Sequence, residues 1–188
     1  MDLATHQRTL LGLFRGSYQV GPHDDPHIRT VAQSRDLEEA KRNIFLWRVY
    51  VLERTCALTF TLLRQRGRLA STIGGFIAGT NISPFRETQA PAFLETLSAS
   101  DDPLVASVAR FELALMLVRE ADARSYTIEW NVDPHSVLDS LARNLPLDEA
   151  APRGTYQTLV SRELPSHFII SGPARPETDV ASGGAPPG

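Results

Sequence analysis

The chain has 188 residues, 42% of them hydrophobic, which is enough for a real core and excludes disorder of the whole chain. It has no run of about 18 apolar residues, and its N-terminus, MDLATHQRTLLGLFRG, has an acidic start at Asp2 and no small-residue cleavage site; neither a membrane span nor a signal peptide is expected, and the cytoplasm is the expected location. Net charge is −3, yet residues 1 to 70 carry 11 Arg or Lys against 7 Asp or Glu while the remainder carries 8 against 15: either a set of solvated helices or a field that steers a partner or nucleic acid toward the basic front.

In chain order, Asp2 is placed to cap a first helix, with Leu3, Leu10, Leu11 and Phe14 on one stripe and an end near Arg15 and Gly16. The segment from Gly21 to Pro26 reads as a connector, because its prolines fix φ and its aspartates favour local side-chain hydrogen bonds. From Ile28 to Arg66 the spacing of Ile44, Trp47, Val51, Leu52, Leu58 and Leu62 predicts a central helical mass, with a break near Ser34 or Arg35 and a C-terminal cap at Gly67. The arginines Arg64, Arg66 and Arg68 complement the carbonyl end of that helix. Gly74, Gly75 and Gly79 limit the next segment to one short helical turn around Ser71 to Ala78, after which Pro91 is expected to open a helix carrying Phe93, Leu94 and Leu97. Asp102 and Pro103 announce a long helix from Leu104 to Ala121, whose wide apolar stripe implies burial between other elements.

After Arg124 the period becomes two. Tyr126, Ile128 and Trp130 alternate with Thr127, Glu129 and Asn131, as in a strand with one buried face. A short helix with Val137, Leu138 and Leu141 follows Asp133 and Pro134, then two strands, Thr155 to Arg162 and Ser166 to Ser171. The expected fold class is α+β: a mainly helical N-terminal domain (1–124), a small C-terminal antiparallel β-sheet region (125–171) and a disordered Gly/Pro-rich tail (172–188).

Chemistry is sparse. His23 and His27 bracket Asp24 and Asp25, a nitrogen and oxygen set able to hold a divalent metal, but Pro26 argues against two ligands on one helix face and an exposed polar loop is the competing reading. His6, His135 and His167 are isolated in sequence. Cys56, the single cysteine, reads as a buried small hydrophobe rather than a nucleophile and fits a reducing compartment. Glu112, among apolar neighbours, is either an acid or base with a raised pKa or the partner of an arginine on a packed helix. Trp47 and Trp130 read as core anchors before ligand stackers. With no CxxC, HExxH or GxSxG pattern, no catalytic residue and no metal ligand is assigned, and no cofactor is expected in this chain.

Several segments together resemble a bacterial family first catalogued under a DNA-binding label and later associated with multinuclear non-haem iron-dependent oxidases. They are Lys41-Arg-Asn-Ile-Phe-Leu-Trp-Arg48, Ser83-Pro-Phe-Arg86 followed by Pro91-Ala-Phe-Leu94, Asp102-Pro-Leu-Val-Ala-Ser-Val-Ala-Arg-Phe-Glu-Leu-Ala-Leu115, Val132-Asp-Pro-His-Ser-Val137 and Leu159-Val-Ser-Arg-Glu-Leu-Pro165. The resemblance implies a non-catalytic partner subunit that binds a ribosomally made precursor peptide and presents its cysteine-containing region to the oxidase, with the iron in the oxidase chain. The product class, of the 3-thiaglutamate type or a copper-binding thioamide and oxazolone peptide, is left open. The departures are a short, uneven first segment and the Gly/Pro-rich tail. Added to the residue pattern, this places an extended leader peptide on a free edge of the C-terminal sheet, along Tyr156, Thr158, Val160 and Arg162, and the oxidase against Phe85, Arg86 and Trp130. A DNA-binding regulator is the competing class, drawn from the basic front. An independent enzyme ranks third.

Overall fold

Side chains at helix ends set most of the boundaries. In the computed structural model, which describes residues 2–80, 82–83, 85–120 and 124–173, the Asp2 carboxylate accepts the Thr5 N–H at 2.8 Å and starts α1 (Leu3–Arg15), closed by Gly16 in the left-handed region. Asp25 caps α2 (Pro26–Ala32) through the His27 N–H, so this helix begins at the proline, and Ser34 caps α3 (Arg35–Thr55) through the Leu37 N–H. The expected break near Ser34 is therefore present. A second, unexpected break follows at Cys56, whose backbone (φ −118°, ψ 50°) leaves the helical region before α4 (Ala57–Gln65). At the end of α4 the Gly67 N–H donates to the Arg64 carbonyl and the Arg68 N–H to the Leu63 carbonyl, the paired closure that a residue at φ 65° permits and that glycine adopts without a Cβ penalty.

Two elements correct the sequence expectation. The segment held to one short turn is an eleven-residue helix, α5 (Leu69–Gly79), because burial of Ile73 and Phe76 outweighs the cost of Gly74 and Gly75 inside it. Pro91 does not open a helix; it lies inside α6 (Arg86–Ser98), whose preceding turn is anchored by the fully buried Gln89 and Ala90. The missing N–H of Pro91 leaves only the carbonyl of exposed Glu87 without its helical donor, which water can satisfy. Next come α7 (Pro103–Arg119), capped by Asp102, strand β1 (Tyr126–Val132), α8 (Pro134–Ala142), capped by Asp133, and strands β2 (Arg153–Val160) and β3 (Phe168–Ser171). Position 121, the expected end of the long helix, and positions 174–188 of the expected disordered tail lie outside the described residues.

The protein is α+β, mainly helical with a small C-terminal antiparallel sheet ordered β1-β2-β3. α7 lies at the centre. Its Phe111 ring meets Trp130 edge-on at 6.1 Å and Phe168 at 5.2 Å on the inner face of the sheet, while Phe93 of α6 sits between Phe60 and Phe76. One buried cluster runs from Leu52 and Phe60 through Phe111 to Ile128, Val137 and Val160, so the core crosses position 124 without a break. A second, smaller cluster of Leu13, Ile28 and Leu37 joins α1 and α2 to the first turns of α3. α3 links the two clusters. Among the described residues, no helix is long and apolar enough to cross a membrane.

Candidate functional site

Sheet order decides what the C-terminal strands can offer. β2 is the central strand: Tyr156, Thr158 and Val160 lie opposite Trp130, Ile128 and Tyr126 on β1, and Thr158 and Val160 lie opposite Ile170 and Phe168 on β3. All three side chains are buried. The expected peptide site along β2 is thus corrected, since its backbone groups are already used on both sides and its alternate side chains form the core. Arg162 stands apart, exposed in the turn that leads to β3.

The free edges belong to β1 and β3. The Ser161 N–H donates to the His167 carbonyl at 2.8 Å, which sets the alternation of the antiparallel ladder: Ile169 and Ser171 turn their backbone groups toward β2, and Phe168 and Ile170 turn theirs outward. On β1 the same alternation turns Thr127 and Glu129 outward, and there the Glu129 carbonyl already accepts the Ser107 hydroxyl of α7 at 2.7 Å. The more open edge is therefore β3. Beside it, on the outer face of the sheet, Leu159 and Ile169 sit opposite each other and are both exposed. The alternation of polar and apolar residues was visible in sequence, but which strand would be central was not.

The oxidase-facing set divides. Phe85 (69% exposed) and Arg86 lie on the surface at the start of α6. Trp130 does not belong with them: it is 3% exposed and packed on Phe111, so its expected interface role is corrected to that of a core anchor. Trp47 is the reverse case. Expected in the core, it is 55% exposed on α3, in a stretch where Ile44, Phe45, Leu46 and Tyr50 are exposed as well. Ile44, Trp47 and Tyr50 share one helical face at three-residue steps, and the rings of Trp47 and Tyr50 lie 5.7 Å apart. The helical spacing of this run resembles that of a buried stripe; because α3 bridges two clusters, no element among the described residues covers this face of its middle turns. Apolar side chains grouped in this way form an exposed patch rather than singly scattered surface residues.

The polar candidates settle differently. His6 stacks on His27 with centroids 5.5 Å apart, while Asp24 is taken up by the Tyr18 hydroxyl at 2.6 Å and the Gly21 N–H at 2.7 Å. These bonds hold the Asp24 carboxyl below the usual range, the Tyr18 bond first, and the same bond raises the Tyr18 pKa. No group of three or more metal-ligating side chains occurs among the described residues. The His167 backbone is in the left-handed region (φ 63°) at the hairpin before β3, and His135 lies in the first turn of α8.

Glu112 has the raised pKa of its first expected reading, and it makes a contact that neither reading included. Its carboxylate accepts the Leu58 N–H at 2.8 Å and the Thr59 N–H at 2.9 Å, so a side chain of α7 caps α4 at the very break made by Cys56. Burial raises its pKa, and the two amide hydrogen bonds it accepts oppose that shift. Burial first, and the Glu112 charge second, push the Cys56 thiol well above its usual range, which is the condition of an inert cysteine. Neither a protein-family model, nor a curated protein, nor a solved structure matches this chain.

Proposed function

We propose that this protein is a non-catalytic partner subunit that docks an iron-dependent oxidase through the exposed face of α3 and presents to it a ribosomally made precursor peptide. The observation that carries the reading is the uncovered stripe of Ile44, Trp47 and Tyr50 with Leu46 beside it. These side chains are about half exposed, so covering each contributes about 1 kcal/mol, and four or five of them contribute several kcal/mol to a heterodimer contact. The stripe falls within and just after Lys41 to Arg48, one of the segments that carries the family resemblance. Peptide binding falls to the outward-turned backbone of Phe168 and Ile170, with alternate peptide side chains against Leu159 and Ile169 and with Arg162 close to the hairpin for an acidic residue. The iron belongs to the oxidase. A reducing, cytoplasmic setting suits the free buried thiol of Cys56.

DNA binding has less beneath it: of the three clustered arginines, Arg64 is paired with Glu53 at 2.9 Å and Arg66 with Asp102 at 3.7 Å. Co-expression of the tagged chain with a non-haem iron oxidase and a short cysteine-containing peptide encoded beside it tests the proposal. A complex that survives high salt is expected, and Trp47→Asp should disperse it without lowering the melting temperature of the chain alone. Sequence-specific nanomolar DNA binding at physiological salt, with no oxidase association, overturns the reading.

A further inference from the structure

The surface sinks into a cavity of about 550 Å³ where the last turn of α3, the first turns of α4 and α6 and the end of α7 meet. Three guanidinium groups from three different helices line it: Arg54 in the last turn of α3, Arg86 at the first position of α6 and Arg119 at the last position of α7. Among the described residues none of the three makes an ion pair, whereas Arg35, Arg64, Arg66 and Arg143 each reach a carboxylate. Like charges gathered at one cavity repel one another unless an anion sits between them.

The two carboxylates that also line the cavity do not remove this excess. Glu112 is engaged by the two α4 amides it caps, and Glu120, next to Arg119 in sequence, balances at most one guanidinium. Of the helix ends at the cavity, the N-terminus of α6, which Phe85 begins without a side-chain cap, adds to it, while the carbonyl ends of α3 and α7 offset part of it. Apart from Thr55, the remaining wall is apolar, made by Ala57, Leu58, Leu115 and Met116. A lining that joins guanidinium groups to an apolar wall suits neither a bare inorganic ion nor a neutral apolar ligand.

We propose that this cavity binds a carboxylate carried on an apolar body, with the carboxylate held among Arg54, Arg86 and Arg119 and the body against Leu58, Leu115 and Met116. Its volume lies in the range of about 300–1,000 Å³ usual for small-ligand sites. Two sources supply the chemistry: an acidic side chain flanked by apolar residues in a bound peptide, or a free organic acid. The inference does not rest on the docking of an oxidase by α3, which can fail while the cavity still binds.

Titration calorimetry on the full chain at low salt separates these cases. The probes are 4-phenylbutyrate and its neutral amide, and the peptide acetyl-Ala-Leu-Glu-Leu-Ala-amide and its glutamine counterpart. Both carboxylates are expected to bind, and each neutral counterpart to bind at least about tenfold more weakly. Arg86→Gln and Arg119→Gln, both at exposed positions, should each weaken binding by about tenfold with an unchanged melting temperature, and added salt should weaken it further. Tighter binding of the peptide assigns the site to a peptide side chain, and tighter binding of phenylbutyrate assigns it to a free acid. Absence of binding by both carboxylates, equal binding of the neutral probes, or binding untouched by the two substitutions overturns the proposal.

Discussion

Arg48 and Gln89 complete each other's hydrogen bonding: the Arg48 Nε donates to Gln89 Oε1 at 2.5 Å, and the Gln89 Nε2 donates to the Arg48 carbonyl at 3.0 Å. Both residues are buried, and the exchange ties α3 to α6. The remaining guanidinium nitrogens reach only the Ile77 carbonyl and the Thr80 hydroxyl, each at 3.5 Å, and burial alone lowers the pKa of Arg48. Gln89→Leu removes the strongest of these contacts and leaves a buried cation poorly satisfied. The expected loss is about 2–4 kcal/mol in urea denaturation. The double variant Arg48→Met with Gln89→Leu should lose less than the sum of the two single changes, because no polar group is then stranded.

The cap that Glu112 supplies to α4 should make stability depend on pH in a particular direction. Burial raises the folded pKa above the ordinary carboxylate value of 4.5. An acid whose folded pKa is raised binds more protons folded than unfolded, so its contribution is present below the unfolded pKa and declines as pH rises through the folded one. The stability advantage of the native protein over Glu112→Gln is therefore expected to shrink as pH rises above 4.5, followed by thermal melting. An advantage that grows as pH rises would mean that the two α4 amides outweigh burial.

Proline substitutions should separate the central strand from its neighbour. The Thr158 N–H faces β1, so Thr158→Pro removes a ladder bond from the middle of the sheet and should cost about 3 kcal/mol or more. Ile170→Pro removes an N–H that points away from β2 and should cost distinctly less. If β3 is the peptide-binding edge, Ile170→Pro lowers peptide affinity in a chain that still melts cooperatively. Equal destabilisation by the two changes would show the ladder alternation to be assigned the wrong way round.

α5 carries two glycines that the fold does not require. A Cβ built at Gly74 or Gly75 meets nothing within 4 Å, and neither residue has a positive φ. Gly74→Ala and Gly75→Ala should therefore each stabilise the protein by about 0.5–1 kcal/mol, read from the urea midpoint, by reducing the freedom of the unfolded chain. Gly67→Ala, at φ 65° in the closure of α4, should destabilise instead.

The sequence by itself determined the element types wherever a local signal was strong: the cap at Asp2, the break near Ser34, the helix starts at Asp102 and Asp133, the closure at Gly67, the period-two run of β1 and the α+β class. These depend on hydrogen bonds and backbone preferences a few residues apart, which sequence spacing encodes directly. What only the tertiary structure decided are relations between distant segments. β2 became the central strand because β1 and β3 both pair with it, which moved Tyr156, Thr158 and Val160 from a supposed edge into the core. Glu112 became a helix cap because α7 lies beside the break at Cys56, and Trp47 became a surface residue because, among the described residues, no element covers its face of α3 between the two clusters. An apolar stripe has the same spacing whether its cover is the same chain or a partner, and a strand the same alternation at the centre of a sheet or at its edge. Only the packing of other elements against them distinguishes the two.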